Sequence, residues 1–252
     1  MSTQAEVDAF QATYGGDGIC DTVNGSLVVS GNDITNIDAL TNLVSAQKIY
    51  IDDNEALTNV DGLANLVALS ELSTSNNKAS TNLDSLASLN GFPELNISSN
   101  ETHNHIDGLE TSPIPDSTLS ISNNDALTNI DGLANLVRVQ ALFIDNNDVL
   151  TNINSLTNLT SMGTLIVSDN DSLTNIDGLA NLTSGGQTVS ISSNPVLTNL
   201  DGLANLTSVV FLYLQSNISL GQCAGLSRLV DQWDDAEPGP GTEVSGIPDV
   251  FE

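Results

Sequence analysis

The chain has 252 residues, of which 39% are hydrophobic and only 4% aromatic, so its core must be built from Leu, Ile and Val. Four basic residues face 32 acidic ones, which gives a formal net charge of −28. This balance excludes nucleic acid and anionic membrane surfaces as partners, because binding to either begins with Lys and Arg neutralising phosphate groups. No apolar run approaches the roughly 20 residues of a membrane helix, so the sequence also predicts no membrane insertion.

Residues 1–24 are predicted to form an N-terminal cap with one short helix over residues 3–14. Thr3 and Glu6 have the spacing of a capping box, and the glycines that follow end the helix. The start of the chain lacks the basic and apolar regions of a signal peptide. We therefore expect either a cytosolic protein or a chain that begins at its mature end.

From residue 25 a repeat with a period of about 23 residues dominates the sequence. Its clearest copy reads Leu-Thr-Asn-Ile-Asp-Gly-Leu-Ala-Asn-Leu over residues 127–136. The first acidic column, that of the Asp-Gly pair, runs Asp38, Asp61, Asp84, Asp107, Asp131, Asn154, Asp177 and Asp201. A period held so closely predicts a solenoid, in which each repeat buries its apolar face by stacking on its neighbours.

Each repeat also carries a short alternating segment that ends in Asn, which predicts a strand with one buried face. The inward pairs are Leu27/Val29, Ile49/Ile51, Leu72/Thr74, Leu95/Ile97, Leu119/Ile121, Leu142/Ile144, Leu165/Val167, Val189/Ile191 and Leu212/Leu214. The closing column is Asn32, Asn54, Asn77, Asn100, Asn124, Asn147, Asn170, Asn194 and Asn217. Because an amide donates and accepts at once, we assign this column the structural role of satisfying turn backbone in its own and adjacent repeats.

With the Leu before each strand, the pattern Leu-x-x-Val-x-x-Leu-x-Leu-x-x-Asn over residues 206–217 resembles the leucine-rich repeat, and the match covers about residues 25–220. The second half of each repeat leaves room for little more than one helical turn, with Asp as its N-cap. This short side is similar to that of short leucine-rich repeats and of receptor L-domain-like proteins on bacterial surfaces. The resemblance implies a right-handed, strand-dominated α/β solenoid with one parallel sheet, short helical or 3-10 turns opposite and helical caps at both ends.

The predicted boundaries are a nine-strand solenoid over residues 25–221, a C-terminal capping helix over 222–233 and an acidic tail rich in Pro and Gly over 234–252. Cys20 and Cys223 lie at opposite ends of the array, on the order of 40 Å apart at the rung spacing, so they cannot pair within one molecule. In the bacterial proteins that the chain resembles, a cap cysteine commonly pairs further along the chain. That resemblance implies that Cys223 has lost its partner through truncation.

The repeat is irregular over residues 102–117, where we expect a bulged or irregular loop. His103 stands where other copies have Leu, and prolines in Ser-Pro-Ile-Pro over 112–115 block a helix. The stretch Glu-x-His-x-His-x-Asp over 101–107 holds both histidines and carries residue types that suit zinc. Since His103 occupies a core position, we favour a half-buried defect of the repeat and predict no metal site.

A second acidic column lies beside the first. It runs Asp33, Glu55, Glu101, Asp125, Asp148 and Asp171, interrupted by Lys78 and Pro195. Stacked carboxylates roughly 5 Å apart repel each other, and calcium would relieve this repulsion through oxygen ligands. No Asp-x-Asp-x-Asp-Gly loop is present, so we favour carboxylates satisfied by local amides, water and salt. No cofactor is predicted, and calcium stays open as the alternative.

Threonines form a further column that resembles the flat faces of solenoid ice-binding proteins. The candidate ice-binding residues are Thr35, Thr58, Thr81, Thr128, Thr151, Thr174 and Thr198. The plainer interpretation is that these residues complete a turn between buried Leu and Ile, and an acidic column adjoins them.

The strand face is the default binding surface of leucine-rich repeats, and its aromatic and apolar residues are the candidate ligand-binding set: Tyr50, Phe143, Ile166, Phe211 and Tyr213. No nucleophile elbow, phosphate loop or Cys–His pair is present, so no catalytic residue is predicted. The sequence thus favours a monomeric, non-enzymatic recognition or adhesion module, extracellular or on a cell surface, that binds a protein or glycan. The alternatives are an ice-binding or surface-ordering solenoid and a calcium-stabilised structural spacer of a larger adhesin.

Overall fold

In a computed structural model, the chain forms a solenoid built on one nine-stranded parallel sheet. The structure describes residues 1–16, 18–80, 83–89, 91, 93–109, 116–221 and 224–226. The strands lie in sequence order and are β1 (Thr22–Val29), β2 (Ser45–Asp52), β3 (Ala68–Ser75), β4 (Glu94–Ser98), β5 (Thr118–Ser122), β6 (Arg138–Asp145), β7 (Ser161–Ser168), β8 (Thr188–Ser192) and β9 (Phe211–Gln215). The predicted strand-dominated repeat solenoid with nine strands is confirmed.

The register of the sheet follows the repeat length, so each column of the sequence becomes a row that runs along the solenoid. Ile49 pairs with Leu72, the equivalent position of the next repeat, and Ile97 pairs with Ile121 in the same way. The inward Leu, Ile and Val of every strand are buried and stack on their equivalents in the next repeat. A thin continuous core results, which no single repeat could build alone.

Nine 3-10 turns lie in the described part of the chain. Their bounds are Asp38–Leu40, Asp61–Leu63, Asp84–Ser88, Asp107–Leu109, Asp131–Leu133, Asn154–Asn158, Asp177–Leu179, Asp201–Leu203 and Ala224–Leu226. The prediction that Asp caps this turn was wrong. Asp131 is the first residue of its turn, and its backbone N–H donates to Oδ1 of Asn129, 3.0 Å away. The Asn two residues earlier therefore fixes the start of the turn, because its short side chain reaches the backbone two residues on.

The column of Asn residues that closes the strands forms a buried ladder. Nδ2 of Asn147 donates to the carbonyl oxygens of Ile121 (3.0 Å) and Asp145 (3.1 Å). Its Oδ1 accepts from the backbone N–H of Asn124, 3.2 Å away in the preceding repeat. The fully buried members of this ladder are Asn54, Asn77, Asn100, Asn124, Asn147, Asn170, Asn194 and Asn217.

The prediction of Asn32 as the first member of this column was wrong, because Asn32 is exposed. Gly31 occupies the first position of the ladder instead, and its N–H donates to Oδ1 of Asn54 at 2.9 Å. This position requires glycine, because a Cβ on Gly31 would lie 2.7 Å from the carbonyl carbon of Ser2, whose segment crosses this end of the solenoid.

The residue before each ladder Asn has a left-handed backbone, which was not predicted from the sequence. The φ angles lie between 53° and 59° at Asp53, Asn76, Ser99, Asn123, Asn146, Asp169, Ser193 and Ser216. At Asn146 the N–H donates to the carbonyl of Ser168 in the next repeat, 3.0 Å away. In the sequence, this column contains only Asp, Asn and Ser. Asp and Asn tolerate positive φ best among these three, so the column carried a signal for the left-handed backbone.

At the N-terminal end, two short helices stand where one was predicted: α1 (Gln4–Asp8) and α2 (Phe10–Tyr14). The N–H of Glu6 donates to Oγ1 of Thr3, while the Glu6 carboxylate accepts from the N–H of Ser2 at 2.7 Å. The predicted C-terminal capping helix and acidic tail lie outside the described residues, apart from the last 3-10 turn. None of the helices in the described part of the chain has the length and apolar character that crossing a membrane requires.

Candidate ligand-binding face

The outward surface of the sheet is the sheet face, defined by three side chains per strand that point away from the core. Its middle row consists of Val28, Tyr50, Ser73, Asn96, Ser120, Phe143, Ile166, Ser190 and Tyr213, paired along the sheet in that order. All five candidate ligand-binding residues lie on this face and are half-buried.

Four of the five candidates are close together and form an apolar patch: Phe143, Ile166, Phe211 and Tyr213. Phe143 and Ile166 are direct partners across β6 and β7. The rings of Phe211 and Tyr213 are stacked, with centroids 6.4 Å apart and an interplanar angle of 13°. Only Ser190 on β8 separates Ile166 from Tyr213 in the middle row. At about 4.8 Å per strand, the patch spans about 14 Å.

Tyr50, the fifth candidate, lies apart on β2 in a polar cluster. Its hydroxyl donates to Oε1 of Glu71 at 2.7 Å, and the ammonium of Lys48 pairs with the other oxygen of that carboxylate. The hydrogen bond to Glu71 raises the pKa of the Tyr50 hydroxyl, and the hydrogen bond from Lys48 lowers the pKa of Glu71. The Tyr50 hydroxyl is therefore committed to the protein, which leaves its ring as the part available to a ligand.

A depression on the sheet face separates Tyr50 from the apolar patch. Ser73, Asn96 and Ser120 line it on three successive strands, together with Glu71 and Glu94. This depression was not predicted as a site from the sequence. The signal was present, since three small polar residues fall between two aromatic ones in the middle row of the predicted sheet.

The repeat unit decides the architecture: parallel strands in sequence order, one 3-10 turn per repeat and a buried Asn ladder. The fold is a solenoid of short leucine-rich repeats. No protein-family model matches the sequence of this chain, and no curated protein matches it either. Among solved structures, an internalin (InlF) from Listeria monocytogenes is similar at 14% identity, over 98% of this chain and 94% of the internalin, with a TM-score of 0.32. The assignment therefore rests on the geometry of the repeat itself.

The candidate ice-binding threonines that the structure describes form one exposed row, while Thr81 lies outside the described residues. Several of their hydroxyl protons are used within the protein. Oγ1 of Thr128 donates to the carbonyl of Asn104 at 2.9 Å, and Oγ1 of Thr174 donates to that of Thr151 at 3.0 Å. These bonds give the row a role in joining consecutive repeats. Its ice-binding role stays a prediction.

The stretch predicted as a half-buried defect contains two histidines in different surroundings. His103 is fully buried, with Nε2 3.4 Å from Oγ of Ser80. His105 is partly exposed, and its Nδ1 lies 3.5 Å from Asp84 and 3.4 Å from Asp107. The two imidazoles of the candidate zinc stretch therefore have different neighbours. Within the described ranges, no three His, Cys, Asp or Glu residues are arranged to hold a metal ion.

The second acidic column shows repulsion between neighbouring repeats. Burial, followed by the charges of Asp171 and Asp125, raises the pKa of the Asp148 carboxyl above its ordinary value. Lys78 interrupts the same column and lies 3.9 Å from Glu55 and 3.7 Å from Glu101. The second acidic column is therefore electrostatically unfavourable at Asp148, and the positive charge of Lys78 relieves the repulsion next to Glu55 and Glu101.

We predict that Asp148→Asn stabilises the protein at pH 7. The pKa of the Asp148 carboxyl is higher in the folded protein than in the unfolded chain. Its ionisation therefore lowers the stability of the fold as pH rises through the raised pKa. The gain should stay below about 1 kcal/mol because the site is partly exposed, and it should vanish below about pH 3, where both states are protonated. Urea denaturation at both pH values measures it. Lys78→Gln in the same column should destabilise at pH 7, and equal signs for the two variants would contradict the repulsion.

Proposed function

We propose that this protein is a non-enzymatic recognition module that binds another protein through its sheet face. The observation that supports this most is the apolar patch. This patch consists of four large, half-buried side chains: Phe143, Ile166, Phe211 and Tyr213. The other outward residues of the sheet face are mostly Ser and Thr. Aromatic residues that cluster within a polar surround are typical of the centre of a protein interface. A monomer that acts outside the cell or on its surface is the setting we propose for this role.

The experiment is a selection of binders to the whole chain, run in parallel on phage-displayed random 12-residue peptides and on a glycan array. We expect peptide binders whose affinity falls at least tenfold in Phe211→Ala, since central aromatic anchors dominate interface energies. The control is Val149→Ala, which removes an apolar side chain that is 41% exposed outside the sheet face.

Circular dichroism and urea denaturation first establish that both variants fold. Binders that respond to Val149→Ala and not to Phe211→Ala would place recognition elsewhere on the solenoid. Binders found only on the glycan array and sensitive to Phe211→Ala would favour the glycan alternative, in which the stacked rings of Phe211 and Tyr213 pack on a sugar.

The other two functions stay predictions with direct tests. An ice-binding solenoid requires thermal hysteresis at high protein concentration, and its absence would remove that alternative. A calcium-stabilised spacer requires a melting temperature that falls in chelator, and an unchanged midpoint would remove it.

A further inference from the structure

The sheet face has an acidic half beside its apolar half. In its three outward rows, the charged residues on β2 to β6 are one cation, Lys48, and four carboxylates, a balance of 1 − 4 = −3; the carboxylates are Asp52, Glu71, Glu94 and Asp145. A second cation, Arg138, is exposed at the start of β6, outside these three rows. On β7 to β9 the outward residues are uncharged: Thr164, Ile166, Ser168, Thr188, Ser190, Ser192, Phe211, Tyr213 and Gln215. A partner that covers both halves must match two different chemistries.

Three of the four carboxylates are already engaged within the protein. Asp52 accepts from Oγ of Ser73 (3.3 Å) and Ser75 (2.6 Å), and Asp145 accepts from Oγ of Ser168. Glu71 is held by Lys48 and Tyr50, as described above.

Glu94 differs from these three. It is exposed, it lines the depression, and no hydrogen bond or ion pair joins its side chain to any residue that the structure describes. We infer that the partner of the proposed binding face is a protein segment that places an Arg or Lys side chain in the depression against Glu94, while apolar residues of the same segment cover the apolar patch. This inference rests on the proposed function and names the partner's chemistry.

The other groups of the depression favour a donor-rich cation. Nδ2 of Asn96 points toward Oγ of Ser73 at 3.3 Å and Oγ of Ser98 at 3.5 Å, which leaves its Oδ1 as a free acceptor direction. A guanidinium offers five donors in a plane to such acceptors, and it also packs on an aromatic face such as the Tyr50 ring at the edge of the depression. An uncharged or acidic segment would instead bury the Glu94 carboxylate without a counterion, which is strongly unfavourable.

The distances suit a single segment. Glu94 is on β4 and Tyr213 on β9, five strand spacings away, or about 24 Å at about 4.8 Å per strand. About seven residues of extended chain cover that length at about 3.4 Å per residue. A 12-residue peptide therefore reaches from the depression across the apolar patch.

The test uses peptides from the 12-residue selection on the whole chain, resynthesised and measured by fluorescence polarisation at 150 mM salt, roughly physiological ionic strength. We expect enrichment of Arg or Lys at one end and of aromatic or aliphatic residues toward the other. Glu94→Gln should weaken binding by about ten- to a hundredfold, the range for a hydrogen bond to a charged group. Replacing the peptide's basic residue by Ala should weaken binding to the wild type but not to Glu94→Gln.

The matched control is Glu55→Gln, which removes the same charge from a side chain that is 57% exposed in the second acidic column. It should change affinity less than about twofold, because exposed charges beyond a Debye length are screened. Equal losses in the two variants would show that only net charge matters and would overturn the inference.

The remaining outcomes separate this inference from the proposed function. Binders that lack a basic residue and respond to Phe211→Ala alone would overturn the inference and leave the proposed function standing. Binders indifferent to both Glu94→Gln and Phe211→Ala, or a selection without binders, would count against both.

Discussion

Replacing Asn147 with Ala should lower the free energy of unfolding by about 3–5 kcal/mol, since each buried polar group that loses its partner costs about 1–3 kcal/mol. Its amide serves the carbonyls of Ile121 and Asp145 and the N–H of Asn124, with distances of 3.0, 3.1 and 3.2 Å. The side chain is fully buried, so water cannot replace these bonds without opening the core between two repeats. Urea denaturation followed by circular dichroism measures the change.

The control for this substitution is Asn158→Ala. Asn158 also joins neighbouring repeats, through one bond from Nδ2 to the carbonyl of Ala134 at 2.8 Å, but it is exposed. Water can take over that bond, so we expect a loss below about 1 kcal/mol. Similar losses for Asn147→Ala and Asn158→Ala would mean that the buried ladder contributes no more than the surface bonds do.

Gly132→Ala should destabilise the protein by about 3 kcal/mol, at the upper end of the usual cost of overpacking. A Cβ on Gly132 would overlap the carbonyl oxygen of Ile106 and lie 2.7 Å from its carbonyl carbon, in the backbone of the preceding repeat. Backbone held by a sheet and a turn cannot move aside as a flexible side chain can. The repeats would have to separate locally, which would disturb the stacking on both sides.

Gly221→Ala is the matched control, because a Cβ there meets no atom within 4 Å. It should change the free energy of unfolding by about 0.5 kcal/mol or less, as is usual for surface substitutions. The chain also contains a natural comparison in Ser155, which follows Asn154 where most repeats have Asp-Gly. Its Oγ donates to the carbonyl of Ile130 at 3.0 Å, and its turn is longer, over Asn154–Asn158. If Gly132→Ala cost no more than Gly221→Ala, the close approach of the repeats would not be a constraint.

The sequence was sufficient to predict the rows of the solenoid, because burial and register both follow the period of the repeat. Each inward pair, for example Leu142 and Ile144, faces the core as its alternation indicates. The error at Asn32 was avoidable. Consecutive members of the buried ladder are further apart in sequence than Asn32 and Asn54 are. The regular spacing, counted back from Asn54, leads to Gly31 instead.

Contacts between repeats were harder to predict, because they depend on backbone directions that a pattern of residue types does not specify. The bond from the Asn146 N–H to the carbonyl of Ser168 and the bond from Oγ1 of Thr128 to the carbonyl of Asn104 are of this kind. Of the candidate site, the apolar residues were predicted from their positions on the strands. The role of Glu94 was not predicted, because this role depends on which neighbouring carboxylates already have hydrogen-bond or ion-pair partners.

The Asn ladder continues through the irregular repeat. The N–H of Asn77 donates to Oδ1 of Asn100 at 3.1 Å, and that of Asn100 donates to Oδ1 of Asn124 at 3.2 Å. The extra residue of that repeat is therefore absorbed outside the strand, and nearest-neighbour coupling is preserved along the array. In a linear chain of coupled units, strong coupling makes partly melted states rare. The two halves of the solenoid should thus melt in one transition, and the length of the array should vary through evolution in whole repeats.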